Sequence, residues 1–197
     1  MGAEVTGSRE VLDGGKVKGG MLKAHLQWVG ENHPDLTTDE IGRRVSPATA
    51  AVLRQAILPV SWYPFRAVVE TDRAIVAACG GDPDALITEL GRYSARLNLG
   101  TSYKVYTRAE PHAFFQLAAR LHRQFQDFGR AEYERTGPTS CRLSMSGYPC
   151  FSPVFCLSGR GYYEQATALQ GGREPRVAET NCQCRGGSEC RFDVRWT

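Results

Sequence analysis

Three cysteines and a glutamate in the last quarter of the chain follow the spacing Cys156-x22-Glu179-x2-Cys182-x7-Cys190. Zinc takes four tetrahedral ligands drawn from cysteine, histidine and carboxylate side chains. Cys182 and Cys190 flank a tight turn centred on Gly186-Gly187, so a hairpin there brings them close across its ladder. Glu179 lies one strand step away, and Cys156 arrives from the preceding helix. Three thiolates and one carboxylate fill the shell and leave no position for water or substrate, which describes a structural site. The plainer alternative is that these are small core cysteines, and the familiar Cys-x2-Cys knuckle is absent. Cys184 is an alternative to Cys182 after a local shift, whereas Cys79, Cys141 and Cys150 have no ligand-like spacing.

The elements that must position this cluster are legible from periodicity. Met21, Leu22, His25, Leu26, Trp28 and Val29 make an amphipathic helix that stops before Pro34, because a proline disfavours helical geometry in the residue ahead of it. Ser46-Pro47 opens a second helix, expected through Leu58. An aromatic turn, Ser61 to Phe65, leads into a third helix ending at Gly80-Gly81, and Asp82-Pro83 caps a fourth. A fifth is expected from Pro111 to Phe128, with Phe114, Leu117, Leu121, Phe125 and Phe128 in one arc. Beyond Gly129 the period becomes two. Residues 130–135 and 140–146 read as one hairpin, 152–169 as a helix, and 176–184 with 189–196 as a second hairpin. The expected architecture is α+β: N-terminal helices followed by a four-stranded antiparallel sheet of two hairpins with an intervening helix.

Composition narrows the function. A chain of 197 residues that is 42% apolar supports one core. Residues 1–17, glycine-rich and without apolar period, are assigned to a disordered tail, and 18–197 to a single domain. The opening Met1 to Thr6 formally fits an N-myristoylation pattern, although a plain tail accounts for it as well. Basic residues exceed acidic ones by three and are dispersed, so no nucleic-acid footprint exists. Neither a membrane-spanning run nor a secretory signal is present, which points to the cytoplasm. Seven cysteines in a reducing compartment hold metal or stay thiols more readily than they pair.

The C-terminal segment resembles the 4-vinyl reductase-type domain, in particular the aromatic-sensing input domains of phenol-responsive bacterial activators. The matching elements are Cys156-x-Ser158-Gly159, Gly171-Gly172, Glu179-Thr180-Asn181-Cys182 and Gly187-x-x-Cys190-x-Phe192. That resemblance implies zinc on Cys156, Glu179, Cys182 and Cys190. The N-terminal part looks like another branch of the superfamily, the heme nitric-oxide/oxygen-binding (H-NOX) domains. Val17-Lys18-Gly19 is similar to their start, and Leu117 to His122 to the helix that presents their proximal heme histidine, which makes His122 the matching position. From Val17 onward the chain is also similar to stand-alone myxobacterial proteins of unknown function. One departure stands out: heme-binding members carry Tyr-x-Ser-x-Arg, and the nearest stretch, Arg142 to Ser146, lacks both the tyrosine and the arginine. That counts against heme.

The leading expectation is therefore a non-catalytic sensory domain that encloses a small apolar or aromatic ligand between helices and sheet and carries a structural zinc. Trp62, Phe114, His122, Phe125 and Tyr162 are the candidate pocket residues. The alternatives are a heme-based gas sensor using His122 and a ligand-free homodimeric scaffold similar to vesicle-tethering proteins. No Gly-rich dinucleotide fingerprint, nucleophile elbow or open metal position with an acid–base pair is found, so no enzyme is expected. No ATPase or DNA-binding helix pair is visible either, and output is expected to pass through another protein.

Overall fold

The computed structural model describes residues 9–197, so the myristoylation pattern lies outside the described residues. Helix α1 (Gly20–Asn32) ends as read, ahead of Pro34. A short α2 (Thr38–Gly42) follows, held by a capping box in which the Thr37 side chain accepts from the Glu40 amide and Glu40 reaches back to the Thr37 amide. The Thr37-x-x-Glu40 signature marks this helix start in the sequence. Helix α3 (Pro47–Leu53), capped by Ser46, is shorter than expected. Residues 58–61 instead form a loop whose Leu58 amide donates to the Tyr63 hydroxyl at 2.9 Å.

Residues from Arg9 to Val17, in the stretch expected as a tail, make specific contacts with the rest of the chain. Strand β1 (Lys16–Lys18) pairs antiparallel with β2 (Trp62–Pro64), in the stretch expected as an aromatic turn. The Arg9 amide donates to the Cys184 carbonyl at 2.7 Å, Val11 and Phe151 bridge, and Asp13 pairs with Arg66 at 2.5 Å. Composition carried no sign of this, because the anchoring is done by backbone groups and isolated ion pairs rather than by an apolar period.

Helix α4 (Phe65–Cys79) ends at Gly80, whose φ of 72° is the left-handed conformation. Helix α5 (Pro83–Gly100) starts on Asp82, whose carboxylate accepts from the Asp84 and Ala85 amides. Helix α6 (Pro111–Arg120) stops eight residues short of the expected Phe128 and passes through a 3-10 turn at His122–Gln124. Strand β1 causes the break. The Lys18 amide donates to the Phe125 carbonyl and the Asp127 amide to the Lys16 carbonyl, so tertiary pairing takes the backbone groups that further helix would have used.

Four strands then close the fold as an antiparallel sheet in the order β3-β4-β6-β5: β3 (Arg130–Gly137), β4 (Ser140–Ser146), β5 (Arg176–Asn181) and β6 (Glu189–Arg195). Helix α7 (Pro153–Leu169), capped by Ser152, joins the two hairpins. The α+β expectation holds. Cys141, Leu143 and Met145 of β4 and Cys190, Phe192 and Val194 of β6 form the buried face of the sheet, while Arg142, Arg191 and Asp193 point outward. Helices α5 and α7 cross so closely that a methyl at Gly91 would strike the Ser158 carbonyl, and one at Gly161 the Thr88 carbonyl. No described helix is long and apolar enough to cross a membrane.

Candidate metal centre and ligand cavity

Cys156 projects from the first turns of α7, Glu179 from β5, Cys182 from the residue just after β5, and Cys190 from β6. One ligand atom from each lies within 4.8 Å of all the others. The three sulfurs are separated by 3.9 Å (Cys156–Cys182), 3.6 Å (Cys156–Cys190) and 4.0 Å (Cys182–Cys190). A tetrahedron with zinc–sulfur bonds of about 2.3 Å has sulfur–sulfur edges of about 3.8 Å. The thiols thus stand at metal-ligand separation and well beyond the ~2.05 Å of a disulfide.

The surroundings match. Cys156, Cys182 and Cys190 are buried. Glu179 is 15% exposed; its Oε2 accepts from Arg185 at 2.9 Å, and its Oε1 is buried with no hydrogen-bond partner. A buried carboxylate oxygen without a donor is costly unless a cation supplies the missing interaction. The Gln183 amide donates to the Cys190 sulfur at 3.4 Å, and the turn that aims it closes on Gly186, with φ of 88°.

The electrostatics of the bare cluster concentrate charge on one sulfur. Hydrogen bonds from Cys156, Cys184 and Cys190 lower the Cys182 thiol well below its ordinary value. In consequence the hydrogen bond to Cys182, with burial behind it, raises Cys156. Burial raises Glu179, and the neighbouring Cys182 adds to the rise. The surroundings thus favour ionisation of Cys182 and disfavour that of its neighbours, the pattern of a cage that needs positive charge to ionise fully. The donor set therefore fits a thiophilic divalent ion. Of the two cysteines left open by sequence, Cys182 joins the converging four. Cys184 is buried but is not among the residues whose ligand atoms converge.

The second feature is an apolar cavity of about 180 Å³ between α5, α6, α7 and the sheet. Of the candidate pocket residues, Phe114, His122, Phe125 and Tyr162 line it; Trp62 does not. Pairing of β2 with β1 turns the Trp62 ring to the surface, 39% exposed, under the Lys18 ammonium at 4.0 Å. Phe115, Tyr163, Tyr103 and Gln126 line the cavity and were not singled out from sequence. Phe115 and Tyr163 directly follow aromatics that were chosen, but Gln126 carried no signal, since it faces inward only because β1 breaks the helix. Its Oε1 is buried without a partner.

His122 is buried. Its Nε2–H donates to the Phe128 carbonyl at 3.0 Å, with the Tyr148 hydroxyl at 3.4 Å. Desolvation lowers its pKa, which favours the neutral ring. Burial likewise raises Tyr162 and Tyr163 and keeps both phenols protonated.

A heme fits this cavity poorly. A volume of about 180 Å³ is close to the ~150 Å³ cavity that binds benzene and below the ~300 Å³ at which drug-sized pockets begin. The Nε2 of His122 is engaged by a backbone carbonyl. On β4 the cavity-facing positions are Leu143 and Met145, and Arg142 points away, paired with Asp193 at 2.8 Å.

No known family profile matches the chain, and a search of curated proteins found no match. Solved structures do match. An H-NOX protein from S. oneidensis in the Fe(II)NO ligation state superposes with a TM-score of 0.70 at 10% identity, covering 91% of this chain and 99% of that one. An unliganded Fe(II) H-NOX protein from K. algicida gives 0.67 at 13%, covering 91% and 96%. An oxygen-binding H-NOX domain related to soluble guanylate cyclases, in its oxygen complex, gives 0.65 at 11%, covering 91% and 95%. The fold is that of H-NOX domains.

Proposed function

We propose that this chain is a non-catalytic sensory domain of H-NOX fold that binds a small aromatic or apolar molecule in the cavity, with a structural zinc pinning the last hairpin to α7. The observation that carries the reading is the cavity itself: one ring in size, apolar-walled, with the His122 imidazole and the partnerless Gln126 Oε1 as polar contacts. A ligand there touches α5, α6, α7 and β4 together, so occupancy tightens the packing between helices and sheet. Cys156, Glu179, Cys182 and Cys190 would hold zinc, which supplies the charge that lets all three thiols ionise and adds its binding free energy to folding. Four protein ligands saturate such an ion, which supports a structural role over Lewis-acid catalysis. Homodimerisation and a cytoplasmic setting belong to the same proposal.

Thermal-shift measurements against phenols and related single-ring aromatics test it. A ligand at a hundredfold excess over its Kd adds about 2.7 kcal/mol, roughly 5–10 °C in Tm for a domain of this size. No shift with any compound removes the ligand reading.

The shared fold favours a second reading, a heme-based gas sensor, because His122 lies in the cavity wall. It requires His122 to release the Phe128 carbonyl and the cavity to widen. Protein supplied with heme then shows a Soret band that His122→Ala abolishes; a colourless protein excludes it.

A further inference from the structure

The cavity wall contains a buried acceptor that no described residue satisfies. Gln126 lines the cavity, and its Oε1 is buried without a hydrogen-bond partner. The main chain holds it there: Gln126 forms an antiparallel bridge with Val17, and its amide donates to the His122 carbonyl at 3.0 Å. On either side, the Lys18 amide donates to the Phe125 carbonyl at 2.9 Å and the Asp127 amide to the Lys16 carbonyl at 3.0 Å. Three polar side chains on the same wall already donate elsewhere. The Tyr103 hydroxyl goes to the Pro59 carbonyl at 2.9 Å, Tyr106 to Gln124 Oε1 at 3.3 Å, and the Asn98 amide to the Gly20 carbonyl and Ser94 Oγ.

We propose that Gln126 selects the ligand of this cavity: a single ring carrying an N–H or O–H that donates to Gln126 Oε1, in preference to a bare hydrocarbon ring of the same size. This deepens the ligand reading given above and rests on it. A hydrocarbon ring fills the volume but leaves the oxygen bare, and a site with a buried polar group rejects a ligand that leaves that group unpaired. An amino or hydroxyl substituent supplies the missing donor. In the empty protein the unsatisfied oxygen is a cost to stability, offset only on binding, which is the mark of a residue kept for recognition rather than for packing.

The test titrates the full chain with toluene and, separately, with aniline, two rings of nearly equal size of which only aniline donates, and reads affinity from the shift in melting temperature. Wild type should bind aniline at least about tenfold more tightly than toluene. In Gln126→Leu that preference should vanish or reverse, while the ligand-free variant melts at or above wild type because the bare oxygen is gone. Equal affinity of wild type for the two rings, or a preference for toluene, overturns the selectivity and leaves the ligand reading standing. No response to either compound overturns both. An aniline preference that survives in Gln126→Leu, or a ligand-free variant that melts clearly below wild type, shows that the oxygen is satisfied in another way and removes Gln126 from the role. The wild-type comparison needs no variant, so a Gln126→Leu protein that failed to fold would not protect the proposal.

Discussion

Arg185 donates to Glu179 Oε2 at 2.9 Å, and this contact fixes the one carboxylate of the cluster while Oε1 remains buried without a partner. A residue of the connecting turn thus orients a residue of β5, and the hairpin ligand set is aligned before any ion arrives.

From this contact follows a test of the outer shell. Arg185→Ala should weaken zinc affinity by roughly 10–100-fold, the usual cost of losing a residue that orients a metal ligand. Competition with a chromophoric chelator measures it, and unchanged affinity would show that Glu179 is not a ligand.

Cys182→Ser and Cys190→Ser should each abolish stoichiometric zinc and lower the melting temperature of the whole domain. The reason is that the ion joins α7 to the last hairpin, so its binding free energy is folding free energy. Elemental analysis with calorimetry reads both effects. Variants that melt like wild type, together with a zinc-free parent protein, would defeat the assignment.

The α5–α7 crossing makes a prediction independent of metal. Gly161→Ala places a methyl against the Thr88 carbonyl and Gly91→Ala one against the Ser158 carbonyl, both backbone atoms that cannot turn aside. Each should cost about 1–3 kcal/mol in denaturant unfolding. Gly30→Ala, with open space around it, should not.

His25 and Asp72 form a buried pair between α1 and α4, with Nδ1 donating to Oδ1 at 2.6 Å and side chains 0% and 1% exposed. Asp72→Ala should destabilise by about 3 kcal/mol, because His25, whose Nε2 already lacks a partner, would be left with no polar contact at all. Asp72→Asn, which keeps an acceptor, should recover part of this.

His122 sets a pH dependence. Desolvation lowers its folded pKa below the ~6.5 of an exposed imidazole, so between the two values the unfolded chain binds more protons than the folded one. Its contribution is therefore fully present above about pH 6.5 and lost as pH falls toward the folded value. Melting temperature followed from pH 7.5 down to 5 should fall less steeply in His122→Gln than in wild type. Parallel curves would place the ring in water.

The parts of this molecule that sequence alone determined are those whose physics is local. Glu179, Cys182 and Cys190 lie within twelve residues on one hairpin, so their convergence follows from strand spacing, and the α+β order follows from the switch of period at Gly129. Caps such as Ser46-Pro47 and Asp82-Pro83 marked helix starts because the side chains that satisfy the first amides are adjacent to them. Tertiary structure decided the rest. Helix α6 ends at Arg120 because Lys16 and Lys18, a hundred residues earlier, take the backbone groups of residues 125 and 127. That one pairing turns Gln126 toward the cavity, and β1 by its pairing with β2 sends Trp62 to the surface. Hydrogen bonds between distant strands leave no periodic trace in either segment, so no reading of side-chain pattern contains them.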